Sequence, residues 1–249
     1  MKKVIKKIRP AAGYSHVIYI ALNALLPILV LILVRFNFAL IAAILVLLAK
    51  WRTLAVRPRY WLPNIRGNLV DVFVGLSVVA FMAGTETLYT QLIWTALYIA
   101  WLVWLKPKSK PIPVMAQALI AQVLALIAFN RTFTDQSLVL AVIVTWVICY
   151  ATARHFLGAF DEPLVRPISQ IWAWFGAMMA WVLGHWVIEY LLVPQIALVL
   201  TVVGYGLATM YYLKSVDKLK PIIRQQLIGV LALLLLIIIV FSDWQDKTV

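Results

Sequence analysis

The feature that most constrains this chain is a succession of apolar runs, each long enough to cross a bilayer. They fall at about 17–34, 37–56, 68–84, 88–105, 113–129, 137–153, 168–193, 196–213 and 225–241. At 1.5 Å per helical residue such runs match a hydrocarbon core about 30 Å thick, with tilt or flanking residues serving the shorter ones. The runs are continuously apolar. Barrel strands would alternate over about ten residues, so helices are expected. The expectation is an all-α, polytopic transmembrane helical bundle of about nine spans, forming a single integral membrane domain over residues 1–249. Composition agrees: 65% of residues are hydrophobic and 12% charged, against about 45–50% and about 25% in soluble domains. That excludes a soluble globule, a disordered chain and a disulfide-stapled scaffold.

Charge sets the threading. With a cytoplasmic N-terminus, the inner segments carry Lys2, Lys3, Lys6, Lys7 and Arg9; Lys50, Arg52, Arg57, Arg59 and Arg66; Lys106, Lys108 and Lys110; Arg154 and Arg166; and Lys214, Lys218, Lys220 and Arg224. Only Arg35, Arg131 and Lys247 remain outside, a split of 19 to 3. Each loop obeys the positive-inside rule on its own, which points to N-in/C-out. The acidic residues Glu86, Asp135, Glu189, Asp243 and Asp246 lean outward. The net charge of +13 therefore reflects membrane threading, and no nucleic-acid partner is expected. The basic N-terminus followed by an apolar run is read as an uncleaved first span, because the run is long and lacks a small-x-small cleavage pattern. The lone cysteine, Cys149, excludes an internal disulfide and Cys-rich metal spacing.

A basic residue followed by proline precedes every helix that starts on the inner side: Arg9-Pro10, Arg57-Pro58, Lys110-Pro111, Arg166-Pro167 and Lys220-Pro221, spaced by 48, 53, 56 and 54 residues. This spacing suggests parallel tandem two-helix hairpins plus a ninth helix, although proline at helix starts and basic residues at that face produce the same pattern locally. The seventh run carries Gly176, Ala180 and Gly184 at every fourth position, a face that lets backbones approach closely, and is expected to be the most central helix. The eighth is expected beside it. The ninth, with Leu233 to Ile239 bulky and aliphatic, is expected at the periphery.

Two groups of residues are candidate sites. His185 and Glu189 share a face if the seventh run is helical throughout, and an ionisable pair inside a span is a functional candidate by default. On the inner side, His155, Asp161 and Glu162 lie in a loop that mixes signs, while the other inner loops are mainly basic. They are candidates for cation or partner binding, or for a surface-lying segment anchored by Phe156, Leu157 and Phe160. Asp71 is read as structural, near the start of the third span and within reach of Arg66 or water. Asn23 and Pro27 mark a polar contact and a kink in the first span. No catalytic set, metal-ligand set or cofactor motif emerges: P-loop, G-x-G-x-x-G, G-x-S-x-G and H-E-x-x-H patterns are missing. The expected role is a non-enzymatic binding or assembly component of the cell membrane, of bacterial plasma-membrane type. Its expected partners are the lipid bilayer, anionic lipid at the cytoplasmic face, and other membrane proteins. The alternatives are a small-solute transporter or channel with a site on the seventh helix, and an intramembrane enzyme acting on a lipid-linked substrate.

Overall fold

The computed structural model describes residues 14–50, 55, 57–133, 137–191 and 193–246. The first basic-proline pair, Arg9-Pro10, lies outside them. Nine α-helices follow in chain order among the described residues: α1 (Tyr14–Arg35), α2 (Ala39–Leu48), α3 (Trp61–Ala83), α4 (Leu88–Ala100), α5 (Pro111–Thr132), α6 (Leu138–Gly158), α7 (Val165–Leu183), α8 (Gln195–Ser215) and α9 (Pro221–Phe241). A 3-10 turn over Pro58–Tyr60 leads into α3, and α4 runs on as a π turn over Trp101–Leu105. Six segments are long and apolar enough to cross a membrane: most of α3, α4 with its π turn, α5, α6, α8 and α9. The chain is an integral membrane protein built as a helical bundle.

Local chemistry explains the helix starts. Pro111 and Pro221 open α5 and α9, where a missing N–H costs nothing and the fixed φ suits the helix. Ser137 caps α6 by accepting from the Leu140 N–H at 3.3 Å. The core forms three packed clusters that share α5, the smallest of them joining Ala118 of α5 with Phe156, Leu157 and Ala208. One joins Val30, Val46, Val74, Val78, Tyr98 and Leu102 with Ala121 of α5. Another joins Ala125 and Leu126 of α5 with Cys149, Ala173, Ala180 and Leu200.

Polar contacts tie specific helix ends together. From one end, Lys50 after α2 and Lys106 after α4 reach in to Asp71, halfway along α3. At that end, Gln117 near the start of α5 donates to the carbonyls of Leu105 and Lys108. Glu162 in the α6–α7 loop meets Tyr211 near the end of α8. At the other end, Arg35 closes α1 against the Glu86 carbonyl at 3.1 Å, and Gln195 opening α8 donates to Ser242 after α9 at 3.2 Å. Successive helices thus run up and down.

Three expectations need correction. The seventh run is not one helix over 168–193. α7 stops at Leu183, and Trp186–Tyr190 forms a strand, β1, which pairs antiparallel with β2 (Val193–Pro194) and β3 (Asp243–Asp246) in the order β2-β1-β3. The expected helical bundle stands, with this small three-stranded sheet added to it. Trp, Val, Ile and Tyr are strand formers, and strands of this kind are apolar enough to pass for helix in a hydropathy run. Leu191, at the β1–β2 turn, has φ of 58°, the left-handed conformation such hairpins demand at a cost for a γ-branched residue. Second, α7 is not central. Its Ala173, Gly176 and Ala180 face is buried on α6, while Ile171, Trp174, Met178 and Trp181 are exposed. Third, α8 packs on α5 and α9, with only slight contact to α7. The peripheral α9 buries Ile238 alone among its residues.

Candidate functional site

The small-residue stripe works as a packing face against α6. A Cβ on Gly176 would come within 2.6 Å of the Cys149 Sγ, and one on Gly184 would collide with Leu138 Cδ1 and come within 2.5 Å of the Ala180 carbonyl oxygen. Cys149 is fully buried there.

His185 and Glu189 do not share a helix face. His185 lies in the turn after α7, exposed, with its ring edge-on to Trp181 at 5.8 Å and to Trp186 at 6.2 Å. Glu189 lies in β1, directly across from Asp243 on one flank and from Pro194 on the other. Four residues of extended chain span about 13 Å, where a helix would bring them within about 6 Å. In the sheet register Glu189 thus faces an acid and no base, a like-charge pairing that disfavours the strand contact.

The inner candidates also separate. His155 Nε2 lies 2.9 Å from the Gln117 Oε1. Because the Gln117 Nε2 donates at 2.6 Å to Leu105 and 2.9 Å to Lys108, its oxygen is the acceptor and His155 the donor. Asp161 holds φ of 51° at the turn after α6, a conformation acidic side chains tolerate. Glu162 accepts from the Tyr211 hydroxyl and, at 3.2 Å, from the Leu164 N–H. The Tyr211 hydroxyl, then the Leu164 N–H and the Lys214 charge hold the Glu162 carboxyl below its usual range. Among the described residues no three His, Cys, Asp or Glu side chains gather as a metal site.

Two arrangements escaped the sequence reading. The first is built on Asp71, which is 6% exposed. It does not turn to Arg66. Its Oδ2 pairs with Lys50 and, at 2.6 Å, with Lys106, and its Oδ1 accepts from Trp101 Nε1 at 2.8 Å. The π turn makes this possible. The Lys106 N–H bonds the Trp101 carbonyl at 2.9 Å, and an i→i+5 turn brings residues five apart nearly to one side, where 3.6 residues per turn would splay them. One turn along each helix, Tyr98 sits on Gly75 so closely that a Cβ there would lie 2.6 Å from the hydroxyl oxygen. Tyr98 Oη is buried with no hydrogen-bond partner among the described residues.

The second is a cavity of about 260 Å³ among α5, α6, α7 and α8. Its walls are apolar: Met115 and Ala118 of α5, Phe156 and Leu157 of α6, Ile168 of α7, and Leu207 and Ala208 of α8. Its polar corner is Gln122, which is 3% exposed. The Gln122 Oε1 accepts from Thr152 at 3.0 Å and from Trp172 Nε1 at 3.1 Å, and its Nε2 donates to the Leu200 carbonyl at 3.1 Å. One side chain thus links four helices, and the polar corner of the cavity is largely consumed by the bundle itself. Gly204 makes room for it: a Cβ there would press Trp172 at 3.2 Å and Gln122 at 3.4 Å. Phe156, Phe160, Tyr211 and Tyr212 stack edge-on at the end nearest the α6–α7 loop. A polar residue inside an apolar run, such as Gln122, was the available signal, but sequence alone does not say that three neighbours converge on it. Compared with protein-family models, with curated proteins and with solved structures, the chain matches none of them.

Proposed function

We propose that the chain is a non-enzymatic binding and assembly component of a bacterial-type plasma membrane, with nine spans, a cytoplasmic N-terminus and an outer C-terminus. Its strongly basic cytoplasmic face holds anionic lipid. The observation that carries this reading is the partition of charge: 19 of 22 basic residues fall in segments assigned to one side. The end-to-end contacts support it, since Lys50 and Lys106, from different loops, reach one carboxylate from the same end of the bundle. Each well-placed basic residue attracts an anionic surface by about 1 kcal/mol.

Transport is the weaker reading. Gln91, Gln117, Gln122, Thr152 and Gln195 are buried and bonded to neighbouring segments, so they stitch helices rather than line a polar path. The test is native mass spectrometry of protein reconstituted in equimolar phosphatidylglycerol and phosphatidylcholine. Retention enriched several-fold in phosphatidylglycerol, falling when Lys108, Lys110, Lys218 and Lys220 are changed to Gln, supports the reading. Equal retention of both lipids removes it.

A further inference from the structure

The geometry points to the α5–α8 cavity as a binding site for one acyl chain of an inner-leaflet phospholipid. The inference rests on the membrane orientation proposed above and adds a place and a ligand chemistry to it.

Size comes first. A cavity of 260 Å³ is well above the roughly 150 Å³ that accepts a benzene. It is just below the range of about 300–1,000 Å³ typical of sites for whole drug-sized ligands. A segment of hydrocarbon chain fits between these limits, and a helix, about 10 Å across, does not. Chemistry comes second. The Gln122 oxygen already takes two hydrogen bonds and its amide a third, so the polar corner offers little to a polar guest. The remaining walls offer dispersion contact and a dry surface.

Depth and access name the source. From Met115 to Gln122 the cavity follows α5 for about 10 Å, from about one turn after Pro111 to the middle of the helix. On α8 it runs from Gly204, at the middle of the helix, to Tyr211, about one turn from Ser215. That depth is the one at which inner-leaflet chains run, in a leaflet about 15 Å thick. The aromatic group of Phe156, Phe160 and Tyr211 stacks at the aqueous end. The wall residue Leu207 is instead 53% exposed on the outward side of α8. Access is therefore sideways, from lipid, beside the slight contact between α7 and α8.

The test is photocrosslinking in nanodiscs, with phosphatidylcholine or phosphatidylglycerol carrying a diazirine in one acyl chain, and adducts mapped by peptide mass spectrometry. Adducts at Met115 and Ile168 are expected with either headgroup. Ala208→Phe and Ala118→Phe, which fill the cavity from opposite walls, are each expected to cut Met115 labelling at least five-fold. Labelling of the lipid-exposed Leu233 and Leu236 on α9 stays unchanged. Thermal melting identifies which variant keeps the fold, and one folded variant suffices; should neither fold, wild-type labelling at Met115 decides. No adduct at Met115 in the wild-type chain, or labelling undiminished in a folded cavity-filled variant, overturns the site. Equal cavity labelling from both lipids, without phosphatidylglycerol enrichment in the retention experiment, removes only the anionic-lipid reading and leaves the acyl-chain site standing.

Discussion

Replacing Asp71 with Asn should be among the most damaging single changes in this protein. The Asp71 carboxylate is 8% exposed at the side chain, and its partner Lys50 is 13% exposed. Asn keeps a hydrogen-bond acceptor for Trp101 but removes the negative charge that Lys50 and Lys106 both meet. Removing one partner of a buried ion pair costs about 3–5 kcal/mol, most of it the burden of stranded charge. Lys106 is 34% exposed, so water screens its share, and Lys106→Met alone should cost about 1 kcal/mol or less. Lys50→Met should fall between the two, because Asp71 then retains Lys106. For a chain of this length roughly 2–4 °C accompanies each kcal/mol, so Asp71→Asn should lower the melting temperature in detergent by roughly 6–20 °C. The sign depends on context. In a Lys50→Met, Lys106→Met background the carboxylate is itself the stranded charge, and Asp71→Leu there should be neutral or stabilising. Glu86→Gln, at an exposed turn, is the control. A loss for Asp71→Asn no larger than for the control, or equal losses in both backgrounds, would refute the reasoning.

Other outcomes follow from the same contacts. Gly176→Leu should destabilise by at least about 1–3 kcal/mol, the usual cost of overpacking, because its Cβ would meet Cys149 Sγ at 2.6 Å; Leu236→Ala on exposed α9 should shift melting little, and comparable losses would contradict the assignment of faces. Glu189→Gln should stabilise slightly, by about 0.2–1 kcal/mol, since it relieves the opposition to Asp243 in the sheet register, and a clear loss in denaturation measurements would contradict this. The Glu162–Tyr211 contact should persist at neutral pH and be lost on acidification. The carboxyl is held below its ordinary 4.5, so the contact's stabilisation is present above that value and disappears as pH falls through the lower folded value. Tyrosine spectroscopy comparing the wild type with Glu162→Gln reads it, and an acid-dependent change that survives in Glu162→Gln would assign the transition to another group.

The sequence made the bundle legible because its strongest signal, unbroken apolarity, is what a bilayer demands of a helix. It misled at Trp186–Tyr190 for the same reason: five apolar-leaning residues beyond α7 satisfy a hydropathy window in either conformation, and the pairing with Asp243–Asp246 is set by residues more than fifty positions away. The small stripe at Gly176, Ala180 and Gly184 was legible as a packing face. That its opposite face would carry exposed Trp174 and Trp181 shows that a helix can be tightly packed and still peripheral. Asp71 was legible as an ionisable group near a span end, but its partners come from two different loops. The π turn that aims Lys106 at it leaves no mark in composition. Gln122 is similar: one amide among apolar neighbours, whose significance lies in which other helices reach it.

The most direct test of the central claim is labelling of single-cysteine variants, in a Cys149→Ala background, with a membrane-impermeant maleimide on intact cells. Glu86→Cys and Leu191→Cys lie at exposed turns of one end, and Lys108→Cys and Lys218→Cys at exposed turns of the other. The account predicts that the first pair labels in intact cells and the second only after permeabilisation. Labelling of Glu86→Cys and Lys108→Cys from the same side would contradict it.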